Sequence, residues 1–248
     1  MVYSALEQFK IYPLIYFLTY NLSFTNQIVI VLLIFSFLFL TSAIVSNNHD
    51  GFVIPGRFQT VLELIYTTVL GTLYDNAGKK TVKFFPFVFT VITFIGLSNL
   101  VGLVPYSFTI TSHLAITSFL ALVLFIGIVS VIIETYRLKS LQLFLPKGTS
   151  LSLSLLLVPI EIISFIFKPL SLGVRLFANI IAGHTLLKVI AGFSWAIIIK
   201  GGLMFIIHFF PLIILVLLIG LEFVVALIQT YVFLILSGIY FREGLHLH

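Results

Sequence analysis

The sequence predicts an all-α polytopic membrane protein, and three observations carry that prediction. Of its 248 residues, 60% are hydrophobic and only 8% charged, with a mean hydropathy of +1.24; soluble domains are about 25% charged. From Phe84 to Ile133, 50 consecutive residues contain no Asp, Glu, Lys or Arg. The apolar runs are also far longer than the roughly 10-residue strands of a membrane barrel, and lipid tolerates only helices and closed barrels as spanning structures. There is no cysteine, which excludes a disulfide scaffold and a thiolate metal site. In so apolar a chain the formal charge of +5 is not a nucleic-acid footprint. With 27 Phe and abundant Ile, the composition suits an AT-rich genome such as an organelle's.

The chain reads as one membrane domain over residues 1–248. Its opening, MVYSALEQFK, lacks the basic stretch and apolar core of a secretory signal. The first span is predicted at 28–45, IVIVLLIFSFLFLTSAIV, followed by the polar, turn-rich SNNHDGFVIPGR. Residues 57–74 mix apolar positions with Gln59, Glu63 and threonines, which reads as an amphipathic helix lying in the interface. Packing of that helix on a partner outside the membrane is the alternative. Residues 84–133 form two further spans joined by the uncharged loop PYSFTITS, short enough to make an antiparallel hairpin.

Two longer stretches follow, within 150–241, turning at Lys200-Gly201-Gly202. As helices they would be about 75 and 60 Å long, against a hydrocarbon core of about 30 Å. Each must cross twice or lie steeply inclined. Pro169 and Pro211 are candidate breaks, but neither is flanked by a polar loop, and periodicity leaves both readings open.

With five crossings, Arg57, Lys79, Lys80, Lys83, Arg137, Lys139, Lys147 and Arg242 fall on one side, against Lys10 and Lys200 on the other. Basic residues concentrate on the inner side of membranes. The N-terminus is therefore predicted outside and the C-terminus inside.

Ionisable groups within lipid are expensive and are functional candidates by default. Glu161, Lys168 and Arg175 recur every seven residues, along one helix face. Asn179 stands one turn past Arg175, while His184, nine residues on, faces the opposite way. On the last helix Glu222, Ala226 and Gln229 share a face, to which Tyr240 returns. Orientation puts Glu161 and Glu243 nearer the inside, His184 and Glu222 nearer the outside, and Arg175 between them. A guanidinium cannot be discharged by burial. The arrangement predicts two proton-exchanging half-paths kept apart by a fixed cation. The plainer readings are a Glu161–Lys168 pair, interfacial anchoring of Lys168, Lys188 and Lys200, a structural His184, and Asn179 and Gln229 as interhelical hydrogen-bond formers. Glu63 and Glu134 read as interfacial.

PLSLGVRLFANIIAGHTLL (169–187) closely resembles the signature of subunit a of F-type ATP synthases. PIEIISFIFKPLSLGVR, GLEFVVALIQTYVFLILSGIYF, NLVGLVPYSF (99–108) and the closing LHLH are similar to the same family, and SALEQFKI is similar to the start of fungal mitochondrial members. The resemblance implies a tilted hairpin against a ring of c subunits, with Arg175 facing the ring's essential carboxylate. It implies Glu161, Glu243 and Tyr240 on the matrix-side proton path, and Asn179, His184, Glu222 and Gln229 on the intermembrane-side path. It further implies other membrane and peripheral-stalk subunits as partners, the mitochondrial inner membrane as location, and no metal or cofactor. One departure is that Glu243 stands where related fungal sequences have Asp. No phosphate-loop pattern is present, so no nucleotide site is expected. The competing reading is another proton-translocating channel or respiratory-complex membrane subunit, but such families show internal repeats and none is visible here. A purely structural membrane subunit would have no use for Arg175.

Overall fold

A computed structural model describes residues 7–16, 23–47, 56–104, 107–137, 151–202 and 204–245. Lys139 and Lys147, counted above among the inner-side charges, lie outside the described residues, as do most of the 46–57 loop, Pro105 and Tyr106, and the closing histidines.

The chain opens with a 3-10 turn, Glu7–Phe9, and a small antiparallel ribbon of β1 (Pro13–Tyr16) and β2 (Ser23–Thr25), in which Pro13 faces Thr25 and Tyr16 faces Ser23. The hydropathy pattern gives no sign of this ribbon. Asn26, the first residue of α1, ties it down: its carboxamide oxygen accepts from the Tyr12 amide at 3.2 Å, and its nitrogen donates to the Lys10 carbonyl at 3.3 Å.

Helix α1 (Asn26–Asn47) is apolar on every side, as a helix surrounded by lipid must be. It buries Ile34 against Phe94, Phe108 and Ile110. Helix α2 (Arg57–Ala77) buries Val69, Leu73 and Ala77, spaced by four, and ends at Gly78, whose φ of 81° closes the turn. Its threonines return their hydroxyls to carbonyls three or four residues back, which quiets polar groups on an otherwise apolar surface. Among the described residues five helices are long and apolar enough to cross a membrane, α1 and four later ones, and α2 is not one of them.

Two of the four are α3 (Phe85–Gly102) and α4 (Leu114–Tyr136), linked by a tight turn at Ile110–Ser112. They are consecutive, yet they touch each other only sparsely. Helix α3 packs mainly on α7, and α4 on α5 and α7. The final two are α5 (Leu151–Ile199) and α7 (Phe209–Leu245), with the short α6 (Met204–Ile207) between them. Both long stretches are single helices rather than double crossings. At 49 and 37 residues they run about 74 and 56 Å. Pro159 and Pro169 lie inside α5 without ending it; spanning helices accept proline because neighbours re-satisfy the freed carbonyl. The expected turn is present, and Gly201 and Gly202 both adopt left-handed φ values, 64° and 62°, that favour glycine.

The core forms around the second half of α7, where Phe233, Leu234 and Phe241 meet Leu73, Ile92 and Leu124 from α2, α3 and α4. The first half of α7 and one long strip of α5 stay open. Helix α5 is pressed onto α4 through Leu172, Leu176 and Gly173. A Cβ at position 173 would lie 2.8 Å from the Ser118 Cα and 3.0 Å from the Thr117 carbonyl oxygen, both backbone atoms. Gly173→Val should therefore separate α4 from α5 and destabilise the protein by about 1–3 kcal/mol. Thermal unfolding in detergent checks this, and an unchanged midpoint would contradict the close approach.

Candidate functional site

Helix α5 carries Glu161, Lys168 and Arg175 at intervals of about 10 Å along its axis. Lys168 is where the long helices first meet through charge. Its Nζ lies 2.5 Å from Glu243 Oε2 of α7 and 5.5 Å from the centre of the Tyr240 ring. Tyr240 stands edge-on to Phe125 of α4, with ring centres 6.2 Å apart. Lys168 is thus neither the partner of Glu161 nor a bare interfacial anchor; the antiparallel register hands it an acid 75 residues away. Glu161 forms no hydrogen bond or ion pair among the described residues.

A second cluster sits nine residues beyond Arg175, about 13 Å further along α5. His184 Nδ1 is 3.5 Å from Glu222 Oε1, and these side chains are only 15% and 7% exposed. The half-turn offset between Arg175 and His184 explains why the histidine turns into the protein. Gly183 makes room for the acid, since a Cβ there would lie 2.8 Å from Glu222 Oε1. Phe9, from the N-terminal turn, closes over the imidazole with ring centres 5.9 Å apart. His184 Nε2 and Glu222 Oε1 are enclosed and have no hydrogen-bond partner among the described residues.

Between the clusters stands Arg175, exposed and without a hydrogen bond or ion pair among the described residues. Leu172, Leu176 and Ile180 beside it are buried. Arg175 therefore belongs to the outward strip of α5, with Ser171, Ala178 and Ala182, all exposed. Asn179 and Gln229 are half-buried and form no side-chain hydrogen bond among the described residues.

Sequence reasoning missed several polar groups. His208, at the end of the hairpin turn, is buried, with Nδ1 2.7 Å from Ser194 Oγ. Asn99 Nδ2 donates to Thr230 Oγ1 at 3.4 Å, joining α3 to α7. His113 stacks on Phe108 and bonds to the main chain of Phe9. Burial pushes the His113 imidazole below its usual pKa, partly offset by that hydrogen bond. Only proximity in space reveals these groups; each is an isolated polar residue in an apolar run.

If the Lys168–Glu243 contact joins α5 to α7, Lys168→Glu should lower thermal stability by placing like charges together. Adding Glu243→Lys should recover most of the loss. Melting of the two single variants and the swapped double variant tests the pair, and a double variant no better than its parents would remove it.

A family model described as ATP synthase A chain matches residues 24–242. The chain is similar over its full length to ATP synthase subunit a of Pylaiella littoralis, 52% identical over 251 residues that also cover all of that protein. It is 42% identical to ATP synthase subunit a of Chondrus crispus, across 100% of this chain and 98% of that one. It is 37% identical to ATP synthase subunit a of Rhodospirillum rubrum, across the whole of both. None of these three relatives is fungal.

Proposed function

The chain belongs to the ATP synthase A chain family, and we propose that it is the proton-translocating stator of the membrane sector. The observation that carries this reading is the order of charges along α5 and α7: an acid-bearing cluster at each end and an unpaired, outward-facing Arg175 between them.

A proton enters from the intermembrane side around His184, Glu222, Gln229 and Asn179. It neutralises a carboxylate on the rotating c-ring, which can then travel through lipid. On the far side it is released toward Glu161, Glu243 and Tyr240 and leaves on the matrix side. Arg175 attracts the bared carboxylate and stops protons passing directly between the half-channels, because a guanidinium has no accessible neutral form. Crossing 100 mV releases about 2.3 kcal/mol per proton. The 44-residue apolar part of α5 measures about 66 Å. To fit a core of about 30 Å its axis lies roughly 60° from the membrane normal, which spreads the clusters over different depths while Arg175 remains near the middle. The inner membrane of mitochondria is the proposed location, with the N-terminus in the intermembrane space and the C-terminus in the matrix. Other membrane and peripheral-stalk subunits hold the stator still.

Arg175→Gln should abolish ATP synthesis driven by a proton gradient in reconstituted vesicles, while the soluble head still hydrolyses ATP uncoupled. Arg175→Lys should fail as well, since a desolvated amine can lose its proton and lacks the planar fork. Synthesis at the wild-type rate in the Gln variant would end the proposal.

Sidedness gives a separate test, clean because the native chain has no cysteine. Cysteines at 161 and 243 should react with thiol reagents added on the matrix side, and cysteines at 184 and 222 with reagents from the intermembrane side. Reaction of all four from one side would mean a single continuous path.

A further inference from the structure

Seven enclosed side-chain polar atoms have no hydrogen-bond partner among the described residues. They are not scattered. Thr109 Oγ1, Thr111 Oγ1 and His113 Nε2 lie on the turn between α3 and α4. Gln8 Nε2 adjoins Phe9, whose main chain bonds His113 and whose ring covers His184. His184 Nε2 and Glu222 Oε1 complete the line. Six of the seven therefore lie on three segments that Phe9 ties together, through its main chain to His113 and its ring to His184; the seventh, Asn99 Oδ1, lies on α3.

Burial makes the pattern costly. Thr111 and Thr109 are 0% and 3% exposed and Glu222 is 6% exposed, and an enclosed polar group without a partner costs about 1–3 kcal/mol. The turn also packs against α5, the helix that carries His184. The usual partner of enclosed polar atoms is buried water, which typically makes about three hydrogen bonds to such groups. Six such atoms suffice for two or three waters by that count.

We propose that the 109–113 turn and Gln8–Phe9 line a water-filled inlet to His184 and Glu222, in which Thr109, Thr111, His113 and Gln8 hold the waters. That the inlet carries protons rests on the function proposed above. The uncharged turn is then more than a connection between two spans. Its hydroxyls and imidazole hold the water through which protons hop to the first titratable pair. Phe9 and Phe108 wall the passage without offering it a polar atom from their side chains.

The test uses the complete ATP synthase in vesicles, with single cysteines introduced into this cysteine-free chain. Silver ion and methanethiosulfonate ethylammonium are applied from the intermembrane side, and proton flux is measured before and after. Thr111→Cys and Gln8→Cys should both react, and modification should cut flux at least tenfold. Val104→Cys, exposed on the same connection, should be modified without loss of flux. Thr111→Val, which keeps the shape but not the hydroxyl, should slow flux several-fold, and Thr111→Ser should keep it. Failure of both cysteines to react in the assembled enzyme, or unchanged flux after complete modification, would overturn the inlet. Should Thr111→Cys not assemble, Gln8→Cys decides alone. Glu222→Gln, run in parallel, separates the two levels. Flux lost there but kept after modification at 111 and 8 moves the inlet elsewhere, and flux kept in every case defeats the proton-path reading itself.

Discussion

The length of α5 governs the rest of the molecule. A single unbroken helix of 49 residues is more than twice as long as a bilayer core is thick, and in the arrangement proposed above it passes obliquely through several depths. The antiparallel α7 follows it. Oblique helices present a long flank, and here the flank is used unevenly. On one side α4 seats against Leu172, Gly173 and Leu176, and the last turns of α7 are enclosed by α2, α3 and α4. The other side, with Arg175 on it, is left open. The packed end fixes the hairpin and the open strip is what it presents.

Charge then marks positions along that hairpin. The Lys168–Glu243 contact and the His184–Glu222 contact are 16 residues apart on α5 and 21 apart on α7. Those intervals are about 24 and 32 Å of helix. The polar contacts pin the hairpin at two points, and the largely apolar length between them holds Arg175 apart from every acid of its own described chain.

Much of this was legible in the sequence, for a physical reason: lipid imposes stricter rules than water. α1, α3 and α4 announce themselves by hydropathy because any polar lapse there is costly, and Lys200-Gly201-Gly202 announces the turn because no other residue adopts those φ values as readily. Arg175 stood out as a charge with no local excuse. The rest depends on register. Nothing near Lys168 in the sequence points to Glu243, and Gly183 only becomes meaningful once Glu222 is seen opposite it. Pro169 in α5 and Pro211 in α7 read equally well as breaks or as tolerated residues, so continuity of the long helices could not be settled by pattern. Four-residue and three-residue strands carry too few residues for alternation to register, which hid the N-terminal ribbon. The polar atoms of Thr109, Thr111 and His113 look like ordinary loop chemistry until their enclosure is known.

The exposure of Arg175 has a consequence for the chain before it meets any partner. In the arrangement proposed above Arg175 stands near mid-bilayer, where a permanent cation costs about 2.5–3.5 kcal/mol on insertion scales, and no acid of the described chain offsets it. Alone in a membrane, α5 has a cheaper course than holding that position: it can roll about its own axis, or the lipid can thin locally, until the guanidinium reaches phosphate and water. The seating of this helix is therefore a property of the finished assembly. On the function proposed above, biogenesis inherits a problem of timing, because a newly inserted copy is brought into its working attitude only when an opposing charge arrives at its open face.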